Sequence, residues 1–138
     1  MYHPWRVLGR RPDWTLVWAL LPAGVYGLTC WATRTITLDR RLSQSERRTT
    51  LTHELVHVER GTAVRGHVGW DERQVEMETA RRLIGIRELG EALAWSRDPW
   101  EVADELWTTP ALVRVRLEHL HPAERHYLRR RLEHHDGD

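Results

Sequence analysis

The stretch from Ser43 to Gly61 constrains the fold more than any other part of the chain, because both of its ends carry helix signals. Ser43 and Glu46 have the spacing of a capping box, in which each side chain binds a backbone N–H at the start of a helix. Gly61 is a residue type at which helices commonly end. We therefore predict a helix through this stretch, and it contains the sequence HELVH at positions 53–57.

The two histidines of this sequence, His53 and His57, lie one turn apart on the same helix face, about 6 Å from each other. Two imidazoles at this spacing can each present a nitrogen about 2 Å from one Zn²⁺ ion. Glu54 projects about 100° away from His53. It is therefore poorly placed as a ligand and well placed to take a proton from a metal-bound water. The spacing predicts a zinc site with Glu54 as the catalytic base.

A solvated polar helix face is the competing interpretation of the same two histidines. Two features of the surrounding sequence favour the metal site instead. Leu51, Leu55 and Val58 form a separate apolar stripe at helical spacing, so the histidine face is free to point into a cleft. A second predicted helix, rich in carboxylates, follows after a short loop.

The second helix, predicted over residues 72–84, should supply the third ligand, because a catalytic zinc takes three protein ligands and keeps one open position. Glu72 and Glu76 lie one turn apart on one face of this helix, so only one of them need bind. We expect Glu72 to be the ligand, with Glu76 as the alternative or as a partner that orients a histidine. His67, in the glycine-containing loop before this helix, is a further alternative ligand.

The remaining periodicity predicts a small sheet followed by helices, which is an α+β fold. We expect an antiparallel or mixed N-terminal sheet packed on a zincin-type helical core. Strands are predicted at 14–21, 28–31 and 35–39, and further helices at 87–95, 99–107, 110–120 and 122–133. We predict that the chain of 138 residues consists of a core, residues 1–97, and a C-terminal helical region, residues 98–138.

An uncharged stretch of residues 14–32 approaches the length of a membrane helix. Pro22, Gly24 and Gly27 interrupt it, and each half is strand-sized, so we expect no membrane segment. The N-terminus also lacks the apolar region of a signal peptide. A single cysteine, Cys30, excludes a disulfide framework within the chain and fits a reducing cytoplasm.

The segment 98–120 resembles a helix-turn-helix, in which Arg114 and Arg116 would face a DNA groove. Its charge argues against DNA binding, since the chain from residue 98 onward holds six arginines and nine acidic residues. DNA-binding modules are normally the basic part of a protein. We therefore expect these helices to pack on the core or on a partner. The alternative function is a non-catalytic regulator with a helix-turn-helix and at most a structural zinc.

At the residues described so far, the chain resembles the ImmA/IrrE family of zinc metallopeptidases. The matching segments are TLTHELVH at residues 50–57, ERQVE at 72–76, Ala80, and the pair Leu83-Ile84. The resemblance implies that His53, His57 and Glu72 are zinc ligands and that Glu54 is the general base. The sequence differs from the family pattern at Val75-Glu76, where Ala-Asn or Ala-Asp is usual.

The same resemblance implies a cytoplasmic endopeptidase, encoded by a phage or mobile element, that cleaves a helix-turn-helix repressor and so relieves repression. The expected partner is therefore a protein substrate. We expect this substrate to add a strand to the edge of the sheet around Thr35–Leu38, which would bring its scissile carbonyl to the zinc.

Overall fold

The computed structural model of the chain describes residues 1–61 and 68–136. Its elements are α1 (Pro4–Gly9), β1 (Thr15–Ala19), β2 (Gly27–Cys30), β3 (Thr35–Asp39), α2 (Gln44–Arg60), α3 (Val68–Leu83), α4 (Ile86–Trp95), α5 (Pro99–Glu105), α6 (Pro110–Glu118) and α7 (Pro122–Asp136). The described residues thus form one small sheet and a set of helices, which confirms the α+β prediction. Within the described part of the chain, no helix is long and apolar enough to cross a bilayer.

The three strands form a mixed sheet in the order β1-β3-β2. β1 runs parallel to β3, with Thr15 opposite Thr35, and β2 runs antiparallel to β3, with Gly27 opposite Leu38. The expectation that Thr35–Leu38 forms a free edge is therefore wrong, because β3 is hydrogen-bonded on both sides. Its alternating residues Ile36 and Leu38 are buried because they lie on the face of the sheet that packs against α2. The edge strands are β1 and β2.

Helix α2 begins and ends where the sequence predicts. The Glu46 N–H donates to the Ser43 hydroxyl oxygen at 3.3 Å, and the Ser43 N–H donates to the Glu46 carboxylate at 2.9 Å. Gly61 caps the other end with a φ of 83°, a left-handed conformation that glycine adopts at low cost. The predicted apolar stripe lies in a buried cluster between α2 and the sheet. The members of this cluster are Trp14, Ile36, Leu38, Leu42, Leu51, Leu55 and Val58.

Two helices differ from the prediction at their N-terminal side: α3 starts earlier than expected, and α1 was not expected. α3 begins at Val68, inside the segment expected to be a loop, rather than at residue 72. The six-residue α1 was not predicted at all. It starts at Pro4, a favoured first-turn residue, but the preceding His3 makes no side-chain cap, so the sequence carries only a weak local signal.

A second buried cluster joins helices α3 to α7. It consists of Ala80, Leu83, Ile84, Leu89, Ala92, Val102, Ala103, Leu106, Leu112, Val113 and Leu128. These residues lie on both sides of the predicted division after residue 97, and the division itself stays a prediction. Burial of this much apolar surface is the main term that stabilises the helical half of the fold.

The C-terminal helices are attached to α2 close to the predicted site. The Arg48 guanidinium donates to the carbonyl oxygens of Leu106 and Trp107 at 3.2 and 3.0 Å. The hydroxyls of Thr49 and Thr108 are hydrogen-bonded at 3.1 Å. These contacts lie about one turn before His53, so they connect the turn between α5 and α6 to the histidine helix.

Candidate metal centre

Three predicted ligands converge between α2 and α3. The two oxygens of the Glu72 carboxylate lie 3.3 Å from His53 Nε2 and 2.8 Å from His57 Nε2. The two imidazole rings have centroids 5.0 Å apart and planes inclined by 69°. One ligand atom from each of the three residues lies within 4.8 Å of the other two. The structure therefore brings together His53, His57 and Glu72, as the sequence predicts.

The geometry of this group fits one small cation. Three ligand atoms about 2.1 Å from a tetrahedral metal lie roughly 3.4 Å from one another. Glu72 reaches the two histidines through different carboxylate oxygens, at 3.3 and 2.8 Å, so the three side chains are near enough to one another to share one ion. Two imidazoles and one carboxylate also form a donor set that catalytic zinc uses, with a fourth position open. The three residues could therefore hold a metal ion, and their donor chemistry is one that zinc accepts.

Glu72 reaches the histidines because α3 packs on α2 with the face that carries it. Val75 and Thr79, three and seven residues further along α3, are fully buried. The Thr79 hydroxyl donates to the Val75 carbonyl at 2.7 Å, so the polar group is satisfied within the helix. An ion pair between Arg82 and Glu59, at 2.5 Å, adds a further link between the two helices.

Glu54, the predicted base, lies beside the ligand group and is only 6% exposed. Its Oε2 accepts a hydrogen bond of 2.5 Å from the Thr29 hydroxyl of β2. β2 comes this close because Gly27 has no side chain. A Cβ at Gly27 would lie 2.7 Å from Thr50 Cγ2 and 3.3 Å from Glu54 Cγ. The edge strand β2 is therefore packed directly against the carboxylate between the two histidines.

No sequence motif marks Thr29 as a site residue. Thr29 lies in a four-residue strand, 25 positions before Glu54, and forms no motif with it. Its role depends on the placement of β2 against α2, which no local spacing encodes. Gly27 bears on this placement, since a glycine in a strand often marks a close approach, but it is the first residue of β2 and lies outside the strand predicted at 28–31.

Two cavities, of about 460 and 400 Å³, meet at the ligand group and share Gly27, His53, Glu54 and Glu72 in their walls. The larger cavity is also lined by residues of the C-terminal helices, which are Thr109, Ala111, Leu112 and Val115. The smaller one is lined by β2 and by His57. Together they form a cleft that passes over the predicted metal site.

The alternative ligands have different outcomes. Glu76 lines the larger cavity, but its carboxylate is not part of the ligand group found among the described residues. His67 lies outside the described residues. Glu72 is therefore the acidic residue of α3 that the structure places at the two histidines.

The expectation that Arg114 and Arg116 both face a groove is wrong for Arg116. Arg114 is exposed, whereas Arg116 is buried and pairs with Glu124. The Nε atom of Arg116 also donates to the Ile84 carbonyl at 2.8 Å, so this side chain points into the helical cluster. The acidic partner on α7 explains why an arginine is tolerated there, since buried charges require a partner.

Comparison with protein-family models, with curated proteins and with solved structures found no match to this chain. The resemblance to ImmA/IrrE peptidases therefore rests on the residues quoted from the sequence and stays an expectation. What the site can do has to follow from its own geometry and chemistry.

Proposed function

We propose that the chain is a zinc-dependent endopeptidase in which His53, His57 and Glu72 hold the metal and Glu54 is the general base. The observation that carries this proposal is the convergence of three suitable donors from two helices, beside a buried carboxylate and within a cleft. A zinc ion bound there would polarise the peptide carbonyl and lower the pKa of a coordinated water to about 7.

Glu54 supplies the proton transfers of the reaction. Its carboxylate takes a proton from the attacking water as the water oxygen bonds to the carbonyl carbon. The same carboxyl group then gives this proton to the amine nitrogen as the C–N bond breaks. Water is thereby divided between the two products, and Glu54 returns to its ionised form.

The substrate-binding edge that the geometry favours is β2. The Asp39 N–H donates to the Tyr26 carbonyl at 2.9 Å, so Tyr26 and every second residue after it use their backbone groups toward β3. The N–H and C=O groups of Gly27 and Thr29 consequently face away from the sheet. An extended peptide that paired with them would add a strand beside the ligand group. In this proposal β2 is the substrate-binding edge, in place of Thr35–Leu38, which the sequence suggested.

The substrate class follows from the resemblance. We propose a helix-turn-helix repressor as the protein partner, met in the cytoplasm, and a zincin-type core formed by α2, α3 and the sheet. α5 and α6, the helices that resemble a helix-turn-helix, serve in this proposal as a wall of the substrate cleft. Residues from Thr109 to Val115 that line the larger cavity support this role.

Metal analysis of the purified protein tests the proposal first. We expect one zinc per chain in the wild type and its loss in His53→Ala, His57→Ala and Glu72→Ala. His126→Ala is the matched control, because His126 is an exposed histidine of α7. A wild-type protein that binds no zinc, or ligand variants that retain it fully, would contradict the assignment.

Cleavage assays test the catalytic role of Glu54. Suitable substrates are unfolded casein and purified helix-turn-helix repressors encoded near the same gene. Glu54→Gln should retain zinc and cut about 10²- to 10⁴-fold more slowly, because the amide cannot act as a base. Zinc binding with no cleavage by the wild type would support the non-catalytic regulator instead.

A further inference from the structure

We propose that Thr29 is a positioning residue for Glu54: its hydroxyl fixes one carboxylate oxygen so that the other is directed to the attacking water. This inference rests on the proposed function. It assigns to an edge-strand side chain a part in the reaction that the histidine motif does not contain. The contact joins β2 to α2 across 25 residues of sequence.

The burial of Glu54 restricts how its carboxylate can be oriented. A buried carboxylate is costly unless hydrogen bonds satisfy it, and a buried side chain with one fixed partner has a restricted orientation. Within residues 1–61 and 68–136, the Thr29 hydroxyl is the hydrogen-bond donor that the structure gives to this carboxylate. It binds Oε2, so among the described residues Oε1 is the oxygen to which the structure gives no hydrogen bond, and we assign the proton transfer to Oε1.

The stem of the Glu54 side chain is packed against β2. A Cβ on Gly27 would come within 3.3 Å of Glu54 Cγ, so the backbone of β2 lies directly against this part of Glu54. The strand thus contacts both ends of the Glu54 side chain, through a glycine at the stem and a hydroxyl at the carboxylate. The position of the base is therefore set by the edge strand as well as by α2.

Thr29 also links the base to the proposed substrate-binding edge. The backbone groups of Thr29 face the free edge of β2, where we propose that the substrate pairs, while its side chain faces Glu54. One residue would then fix the distance between the substrate backbone and the base. Removing the hydroxyl should disturb the base and leave the backbone pairing in place.

The test compares Thr29→Val, which keeps the shape and loses the donor, with Thr29→Ser, which keeps the donor. Thr37→Val is the control, because it makes the same chemical change on β3, away from Glu54. With fluorescein-labelled casein, we expect Thr29→Val to lower kcat about 10-fold or more, because misplaced catalytic groups lose rate steeply. KM and zinc content should stay at the wild-type level, and Thr29→Ser should restore most of kcat. A Thr29→Ala variant repeats the test without the β-branch.

A second readout needs neither zinc nor substrate. Urea unfolding of the metal-free protein, in a double-mutant cycle of Thr29→Val and Glu54→Ala, should show that the two changes are not additive. Additive effects, or a wild-type kcat in Thr29→Val, would overturn the assignment while wild-type cleavage stands. Absence of zinc-dependent cleavage by the wild type would instead overturn the proposed function, and the assignment with it.

Discussion

The ion pair between Arg116 and Glu124 should make the stability of this protein strongly dependent on acid pH. Arg116 is 4% exposed, and its Nη1 atom donates to Glu124 Oε1 at 3.0 Å while Nη2 contacts the second carboxylate oxygen. The backbone N–H of His121 adds a further hydrogen bond to Glu124 at 3.1 Å. All of these donors favour the ionised carboxylate, so protonating it in the folded state is costly.

The hydrogen bonds from Arg116 lower the pKa of Glu124 from its ordinary value of 4.5 to about 2, and the His121 N–H and the nearby positive charges act in the same direction. At about 1.4 kcal/mol per pKa unit, this difference between the unfolded and folded pKa of Glu124 corresponds to about 3 kcal/mol of folding free energy. The folded-state pKa is the lower one, so this stabilisation is fully present above pH 4.5. It is lost as the pH falls through about 2.

Urea unfolding of the wild type and of Glu124→Gln at pH 7, 3 and 2 measures this contribution. We expect the variant to be less stable by about 3 kcal/mol at pH 7, by about half of that at pH 3, and by little at pH 2. Glu118→Gln is the control, because the pair of Glu118 with Arg114 is exposed and should contribute less than about 1 kcal/mol. A difference between wild type and Glu124→Gln that stays constant or grows toward acid pH would refute the reasoning.

Two further substitutions test the contacts around the cleft. Gly27→Ala would place a methyl group 2.7 Å from Thr50 Cγ2. It should destabilise the protein by about 1–3 kcal/mol in urea unfolding, and unchanged stability would contradict the close packing of β2 on α2. Arg48→Met keeps the aliphatic stem and removes the donors to the Leu106 and Trp107 carbonyls. Arg48→Met should lower the free energy of unfolding by about 1–3 kcal/mol and accelerate amide hydrogen exchange in the α5–α6 turn. Exchange at the wild-type rate would show that the hydrogen bonds of Arg48 do not stabilise this turn.

Helices α2, α5, α6 and α7 were predictable because their first turns are marked by local chemistry, whereas α1 and the start of α3 were not. Ser43 and Glu46 form the predicted capping box, and Asp98 and Thr109 cap α5 and α6 with their side chains. A proline stands in the first turn of each of the last three helices. The relative placement of His53 and His57 likewise depends only on helix geometry, so the two imidazoles lie side by side in the structure as their spacing predicts.

The errors concern contacts between segments that are distant in sequence. The order of the strands depends on which neighbours β3 accepts, and its alternating pattern is equally compatible with an edge or a central position. The burial of Arg116 depends on Glu124, which lies on the next helix. The contact of Thr29 with Glu54 depends on a sheet packing against a helix. None of these pairings has a fixed sequence spacing, so patterns along the chain could not reveal them.

The attachment of the C-terminal helices has a consequence for specificity. Arg48 and Thr49 bind the turn between α5 and α6, and the residues that follow this turn line the cavity beside His53. Arg116 of α6 points into the interior and donates to the Ile84 carbonyl, so α6 is held on its inner side. A helix held in this way at a cleft contributes shape and apolar surface to whatever enters it. Under the proposed function, the choice of substrate would thus depend on α6 and β2, which flank the histidine motif without belonging to it.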